Sequence, residues 1–151
     1  MASTFTQLHY HCVWSTKNRQ PLISQNIEKS VWAILGATAK AHGMRLAVAG
    51  GIENHVHVLL EIPKTLSVSE AMKRLKGGSS NSINEKSLTG SGRFGWQDGC
   101  AAFTVSASRH DEVRHYIENQ REHHRKLSFE DELVAFLERH RVDFDPKYLW
   151  G

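Results

Sequence analysis

A ten-residue stretch near the middle of the chain, residues 53–62, alternates along much of its length between two kinds of side chain. Side chains of a β-strand point alternately to opposite faces of a sheet, so this period of two predicts a strand with two different faces. One face would carry Asn54, Val56, Val58, Leu60 and Ile62, and the other Glu53, His55, His57, Leu59 and Glu61.

The same alternation recurs over residues 5–14 and predicts a second central strand, with His9 and His11 on one of its faces. Apolar residues over 25–42 recur at helical spacing, which predicts an amphipathic helix. The apolar segment 45–52 predicts a strand that forms a hairpin with the histidine-bearing strand.

A capping box begins the next predicted helix, because Ser67 is followed three residues later by Glu70. Inside the same segment lies Gly77-Gly78, which predicts either the end of the helix or a close approach of its backbone, for example to a phosphate. The remaining expected elements are a mobile loop over 87–95, a strand over 96–106, helices over 108–124 and from 128 onward, and an aromatic tail that packs back on the domain.

The predicted order is βαββαβ followed by further helices, the pattern of a ferredoxin-like fold. In that topology the first and third strands pair at the centre of one antiparallel sheet, with helices on one face. We therefore predict one α+β domain over residues 1–151, in which His9, His11, His55 and His57 could share a sheet face.

Composition limits the classes of function. The longest apolar run is far shorter than the roughly 20 residues of a membrane span, and the amino terminus lacks a signal-peptide layout, so we expect a cytoplasmic protein with no membrane partner. The net charge of +3 and the pI of about 9.0 favour a nucleic-acid partner.

Two histidine pairs are candidate metal ligands. His55 and His57 stand two residues apart on a strand, roughly 6 to 7 Å between Cα atoms, close enough to converge on one ion. His9 and His11 have the same spacing, so spacing cannot choose between the pairs. Tyr116 stands one helical turn before Gln120 and is either a packing residue or a nucleophile.

Several motifs follow one another along the chain: His55-Val56-His57 in an apolar strand, Leu75-Lys76 in a capped helix, the Phe-Gly-Trp-Gln-Asp-Gly segment 94–99 before a strand, and Tyr116-x-x-x-Gln120. In order and spacing they resemble the HUH single-tyrosine transposases of small bacterial insertion sequences, over nearly the whole chain. Asn54 departs from the resemblance, since many relatives carry an acidic residue there.

The resemblance implies a metal-dependent DNA endonuclease and strand transferase that acts on single-stranded DNA near hairpins. It implies that His55, His57 and Gln120 hold Mg²⁺ or Mn²⁺, and that Tyr116 forms a covalent 5′-phosphotyrosine intermediate. No nucleotide cofactor is needed. It also implies a homodimer in which the tyrosine helix of one subunit completes the metal site of the other.

Residues for DNA contact are predicted less directly. Lys73, Arg74 and Lys76 lie on the outward side of a helix and could bind the DNA backbone, or form a solvated surface. His9 and His11 could line the DNA groove or be structural neighbours of the metal site.

Two alternative functions stay open. A domesticated relative that nicks chromosomal palindromes would use the same chemistry, although Gln120 favours the mobile-element branch of the resemblance. A non-catalytic module that binds single-stranded nucleic acid would use the sheet as a platform, but aromatic stacking residues are missing from the outward positions of the histidine strand.

Overall fold

A computed structural model describes residues 2–90 and 92–150. The strands are β1 (His9–Ser15), β2 (Arg45–Ile52), β3 (His55–Glu61) and β4 (Ala101–Val105). The helices are α1 (Glu28–Ala41), α2 (Val68–Glu85), α3 (His110–Glu118), α4 (Gln120–His123) and α5 (Phe129–Arg139), with 3₁₀ turns at Lys17–Arg19, Ala107–Arg109 and Pro146–Tyr148. Within the described ranges, no helix is both long and apolar enough to cross a membrane.

The strands form one antiparallel sheet in the order β2-β3-β1-β4. The first and third strands are therefore central neighbours, and the predicted ferredoxin-like α+β fold is confirmed. In the register between them, His11 stands opposite Leu59 and Val13 opposite His57. This offset places His11 diagonally beside His57 on one face of the sheet.

The two faces of the sheet are covered by different helices. Against α1 and α2 lies an apolar core to which β1 contributes Cys12 and Trp14. The opposite face packs on α3, and Val13 forms an apolar cluster there with Phe136 and other residues of α5. The histidine-bearing face is therefore buried, and the aromatic tail packs beside it through Phe144, Leu149 and Trp150, as predicted.

Two strands are shorter than predicted. The first strand begins at His9 rather than at residue 5, and Phe5 is 92% exposed. The last strand covers Ala101–Val105 rather than 96–106. Before it, the side-chain oxygen of Gln97 accepts the Ser15 backbone N–H at 2.7 Å, so a side chain takes the place of a strand partner.

Helix α2 continues through the double glycine and ends at Glu85. A Cβ atom at Gly78 would lie 2.7 Å from Cγ2 of Thr38, so this glycine allows α2 to approach α1 closely. A Cβ built at Gly77 would meet no atom within 4 Å among residues 2–90 and 92–150, apart from its chain neighbours and the backbone of its own helix. Of the two predicted alternatives, the close approach is the one observed, and the group approached is α1.

The predicted helix over 108–124 is interrupted, so its continuity was wrong. Asn119 has non-helical dihedral angles (φ −105°, ψ 28°), and its side-chain amide donates to the carbonyl of His115 at 2.8 Å. A side chain that takes a helix carbonyl in this way competes with the helix itself. Farther back, α3 lies so close to β2 that a Cβ at Gly50 would be 2.1 Å from the Ile117 carbonyl oxygen.

Candidate active site

Two imidazoles of β3 form the base of the candidate site. His55 and His57 are both fully buried on the sheet face that α3 and α5 cover. The Nε2 atom of His57 lies 2.8 Å from Oε1 of Glu132, and Nε2 of His55 lies 3.4 Å from the same oxygen. The strand therefore presents two ring nitrogens to one carboxylate of α5.

The segment after α3 adds two more donors. Oε1 of Gln120 lies 3.3 Å from Nε2 of His55 and 3.0 Å from Nε2 of His124, while the Gln120 amide nitrogen donates to the Tyr116 carbonyl at 3.2 Å. The His124 nitrogen is 3.1 Å from Glu132. A set of potential metal-ligand atoms lies within 4.8 Å of one another, and it comprises His55, His57, His124 and Glu132.

The outer nitrogens of these rings are also held. Nδ1 of His124 donates to the carbonyl oxygen of Leu127 at 2.6 Å, and Nδ1 of His55 lies 2.8 Å from Oδ1 of Asn54. Such a bond at one nitrogen fixes the tautomer and turns the other nitrogen toward a ligand. The two Nε2 atoms thus face the middle of the cluster.

Tyr116 extends from α3 into the same cluster. Its hydroxyl donates to Oε2 of Glu132 and lies 3.0 Å from Nε2 of His123. Burial and the neighbouring carboxylate raise the pKa of Tyr116 well above its usual value. The hydroxyl is therefore protonated near neutral pH, and the Glu132 carboxylate fixes its direction by accepting its hydrogen bond.

The pKa values of the cluster residues are shifted in different directions. Burial raises the pKa of Glu132, but hydrogen bonds from His124, His55 and His57 outweigh it and hold that pKa below its usual range. Burial lowers the pKa of His55 to about 4, so its ring is neutral near pH 7. Burial lowers the pKa of His124 as well, but the Glu132 hydrogen bond and the Leu127 carbonyl outweigh it and raise the pKa overall.

The two residues of the second histidine pair, His9 and His11, lie in different places. His11 lies beside the cluster, with Nε2 2.7 Å from Nδ1 of His57, and burial lowers its pKa to about 3. His9 stands farther along β1, where its ring lies 3.9 Å from Glu61. The structure therefore brings His11 to the site as a support for His57, and leaves His9 outside it.

The basic residues predicted to contact DNA lie on α2, away from the cluster. Lys73 is exposed and lines a cavity of about 470 Å³. Arg74 pairs with Glu70 at 3.1 Å, and Lys76 donates to the Gly99 carbonyl at 2.6 Å. Two of these cations are thus already engaged within the chain, and their contact with DNA stays a prediction.

Two members of the cluster were missed by sequence reasoning. Glu132 occupies an inward position of α5 between Phe129 and Leu133, both buried. A carboxylate on an apolar helix face is a signal, because a buried charge needs a partner. His124 follows Gln120 by four residues, a spacing that brings two helical side chains together.

The sequence and the fold that carry this cluster have known counterparts. A family model described as "Transposase IS200 like" matches residues 4–120. The chain belongs to the IS200-like transposase family. It is thus related to DNA transposition enzymes, which cleave and rejoin DNA.

Relatives of this IS200-like transposase include the ISDra2 transposase TnpA of Deinococcus radiodurans, 26% identical over 121 residues that cover 76% of this chain and 84% of the relative. The transposases for insertion sequence element IS200 of Salmonella typhimurium and Salmonella typhi are 34% identical over 86 residues, which cover 57% of this chain and 57% of each relative.

Solved structures show the same fold. A putative transposase from Deinococcus radiodurans has a TM-score of 0.59 at 25% identity, and the match covers 80% of this chain and 95% of the other. A REP-associated tyrosine transposase bound to a REP hairpin has a TM-score of 0.54 at 10% identity, with 78% and 68% covered. The family match ends at Gln120, so His124 and Glu132 lie beyond it.

Proposed function

We propose that this IS200-like transposase cleaves and rejoins single-stranded DNA near hairpins, with Tyr116 as the nucleophile and a divalent metal ion bound by His55, His57 and Gln120. One observation supports this most strongly: the Tyr116 hydroxyl and the strand imidazoles contact the same carboxylate, Glu132. A nucleophile and a potential metal centre thus share one buried site.

The donor set fits a divalent ion. Neutral imidazoles, an amide oxygen and a carboxylate are all ligands of divalent cations, and the low pKa of His55 leaves its ring available as a ligand. When bound, the ion would polarise the scissile phosphate and hold it in place. The family resemblance allows Mg²⁺ or Mn²⁺.

The chain's own residues supply the nucleophilic step. The Tyr116 oxygen forms a bond to phosphorus, the bond from phosphorus to the 3′ oxygen breaks, and the 3′ oxygen takes a proton from water. The phenol proton passes to water as this bond forms, and Oε2 of Glu132, which accepts the hydrogen bond from the phenol, orients the Tyr116 oxygen for attack. The covalent phosphotyrosine keeps the energy of the cleaved linkage, so another 3′-hydroxyl can reverse the step and join new ends.

A cleft beside the nucleophile is suited to the DNA strand. This cavity of about 460 Å³ lies between β4, the start of α3 and the end of α5, with Arg109, Arg139 and His140 on its walls and His11 among its lining residues. The rings of His11 and Tyr116 are 6.0 Å apart between centroids. A strand lying in this cleft would therefore pass next to the tyrosine.

The charges of the cleft also favour a phosphate backbone. Arg139 has no carboxylate partner within 4 Å in residues 2–90 and 92–150, whereas Arg109 pairs with Glu112. Cationic side chains supply most of the affinity for DNA phosphates. We therefore place Arg139, as well as Lys73, in contact with DNA.

We also propose a homodimer, as the family resemblance implies. In the single chain Tyr116 already reaches the histidine cluster of its own chain, so exchange of the tyrosine helix would require α3 to leave this position. Mixing a Tyr116→Phe variant with a His57→Ala variant tests the exchange. Recovery of cleavage by the mixture requires a tyrosine from one subunit and a metal site from the other; no recovery means that each site is built by one chain.

The decisive experiment incubates the protein with labelled, hairpin-bearing single-stranded DNA and Mn²⁺ or Mg²⁺, and then looks for a covalent adduct on a denaturing gel. The wild type should form the adduct, and Tyr116→Phe should form none. Tyr148→Phe is the matched control, because Tyr148 is 71% exposed and lies outside the cluster.

Two results would contradict the proposal. Adduct formation by Tyr116→Phe would assign the nucleophile to another residue. Undiminished cleavage after removal of metal with EDTA would exclude the metal-dependent step.

A further inference from the structure

The buried cluster around His55 and His57 has more potential metal ligands than the proposed function uses. Building on that function, we propose that His124 and Glu132 are also ligands of the metal ion, and that the resulting five-donor centre selects Mn²⁺ or another first-row transition metal over Mg²⁺. Both residues lie beyond the segment that the family model matches.

The first argument comes from burial. The side chain of His124 is 3% exposed, Glu132 is 2% exposed and Gln120 is 1% exposed. An unsatisfied buried donor or acceptor costs about 1–3 kcal/mol, so such groups need polar partners, and these three find them in one another and in the strand imidazoles. Their reactive atoms all point into the space above His55 and His57.

The second argument comes from the direction of lone pairs. Nδ1 of His124 donates to the Leu127 carbonyl, which cannot donate in return, so Nε2 of a neutral ring can only accept. The Gln120 amide nitrogen donates to the Tyr116 carbonyl, which leaves Oε1 of Gln120 as an acceptor facing that ring nitrogen at 3.0 Å.

Two acceptors in contact repel each other unless a positive charge joins them. Oε1 of Glu132 is a third acceptor, 3.1 Å from His124 and 2.8 Å from His57. A proton on His124 can satisfy one of these contacts. A metal ion at the centre can satisfy all of them, since it receives lone pairs from every side.

The third argument concerns metal identity. Three imidazole nitrogens with one carboxylate and one amide oxygen form a nitrogen-rich set, and imidazole favours transition metals. Mg²⁺ prefers oxygen ligands and usually keeps several bound waters. If these five protein donors held the ion, they would take the places of the several waters that Mg²⁺ usually keeps.

Glu132 would then join the metal to the nucleophile. Its Oε1 faces the imidazoles, while its Oε2 accepts the hydrogen bond from Tyr116 and lies 3.3 Å from His123. The two carboxylate oxygens therefore serve two groups at once, and the tyrosine is positioned by the same residue that binds the ion.

Metal titration tests this directly. Metal-free protein is titrated with MnCl₂ and with MgCl₂ in a calorimeter, and Mn²⁺ binding is followed in parallel by electron paramagnetic resonance. We expect the wild type to bind Mn²⁺ at least about 100-fold more tightly than Mg²⁺. Glu132→Gln and His124→Asn should each weaken Mn²⁺ binding by at least about 10-fold.

Control variants separate ligand loss from general effects. Glu130→Gln removes a carboxylate from the same helix, and His115→Asn removes an exposed imidazole; both should bind Mn²⁺ as the wild type does. Wild-type Mn²⁺ affinity in Glu132→Gln or His124→Asn would overturn the inference, as would equal wild-type affinity for Mg²⁺ and Mn²⁺.

A spectroscopic count keeps the test valid if a variant fails to fold. Electron spin echo envelope modulation of wild-type protein with bound Mn²⁺ should detect three coordinated imidazoles, and a count of two would overturn the role of His124. None of these readouts requires DNA. Tight Mn²⁺ binding without a covalent adduct would refute the proposed function alone, whereas an adduct with unchanged metal affinity in the variants would refute only the added ligands.

Discussion

The two faces of the sheet are built by the same central strands and yet differ in every respect that matters for function. On one face, Cys12, Val58 and Leu60 pack against α1 and α2 in a core of apolar side chains. On the other, His11 and His57 lie equally buried under α3 and α5. Because side chains alternate along a strand, each residue of the apolar face is followed in sequence by a residue of the histidine face.

The difference shows how one strand can contribute to both stability and chemistry. Burial of an apolar side chain contributes roughly 1.5–3 kcal/mol with no demand for a particular partner. A buried imidazole must instead find hydrogen-bond partners or a cation. The apolar face can therefore hold the sheet in place, and the histidine face can keep a set of directed polar groups.

The largest expected effect comes from comparing two substitutions in β3, one on each face and three residues apart. His57→Ala should lower the rate of adduct formation at least about 100-fold, because it removes a proposed metal ligand. Leu60→Ala should cost about 2–5 kcal/mol of unfolding free energy, as truncation of a buried leucine does, and leave the activity of each folded molecule nearly unchanged. Urea denaturation and adduct yield per folded molecule measure both.

Two results would contradict this division between a face for stability and a face for chemistry. A Leu60→Ala protein that is fully folded but inactive would show that the apolar core positions the site more tightly than its contacts indicate. A fully active His57→Ala protein would remove the chemistry from this face.

A second difference between the faces is their response to acid. The pKa of His11 is lowered from 6.5 to about 3 by burial, so between these values the unfolded chain binds a proton that the folded chain does not. The free energy of unfolding should therefore fall as the pH falls, by about 2 kcal/mol for this residue between pH 6.5 and 5.

Metal-free protein in urea tests the pH effect, with His11→Asn as the variant that lacks this proton uptake. Its stability should depend less on pH than that of the wild type, by the same 2 kcal/mol or so. An exposed histidine, His115, supplies the control substitution His115→Asn, which should keep the wild-type slope. Equal slopes for wild type and His11→Asn would show that His11 is not a source of acid sensitivity.

Adjacent glycines of α2 sharpen the description of the apolar face. Gly78→Ala would place a Cβ 2.7 Å from Thr38, and this overpacking should destabilise the protein by about 1–3 kcal/mol. Gly77→Ala meets open space in a helix interior and should stabilise it by about 0.5–1 kcal/mol. Thermal denaturation of both variants should give shifts of opposite sign; two shifts of the same sign would contradict the close approach of α1 and α2.

The smallest effects come from two helix caps, one on each face. Ser67 caps α2 and Ser128 caps α5, each by accepting a backbone N–H at 3.1 Å. Ser67→Ala and Ser128→Ala should each cost about 1 kcal/mol of stability. Only Ser128→Ala should also weaken Mn²⁺ binding, by up to about fivefold, because α5 carries Glu132. Calorimetric titration of both variants tests this difference.

Much of the fold follows from local patterns in the sequence. The alternation over residues 53–62 and 5–14 predicts the central strands and their faces, and the Ser67 capping box predicts the start of α2. The residues at which strands and helices begin and end were harder to predict from the sequence. Before the shortened last strand, the Gln97 side-chain oxygen accepts the backbone N–H of the distant Ser15, a long-range bond that no local pattern encodes.

Only some of the site residues could be predicted from the sequence, for a similar reason. Tyr116, His55, His57 and Gln120 stand in a recognisable order along the chain, so resemblance could select them. Glu132 joins them only after α5 folds over the sheet, because its contacts are 75 residues away in sequence at His57 and 16 residues away at Tyr116. A helical carboxylate by itself is typical of a solvated surface.

Gly50 has a consequence that reaches the nucleophile. It lies opposite His57 in the hairpin and beneath the backbone of Ile117, the residue after Tyr116. Even an alanine at position 50 would push α3 away from the sheet. The Tyr116 oxygen would then be misaligned with the phosphate, although every reacting group would still be present. The missing methyl group at position 50 thus sets the reach of the nucleophile.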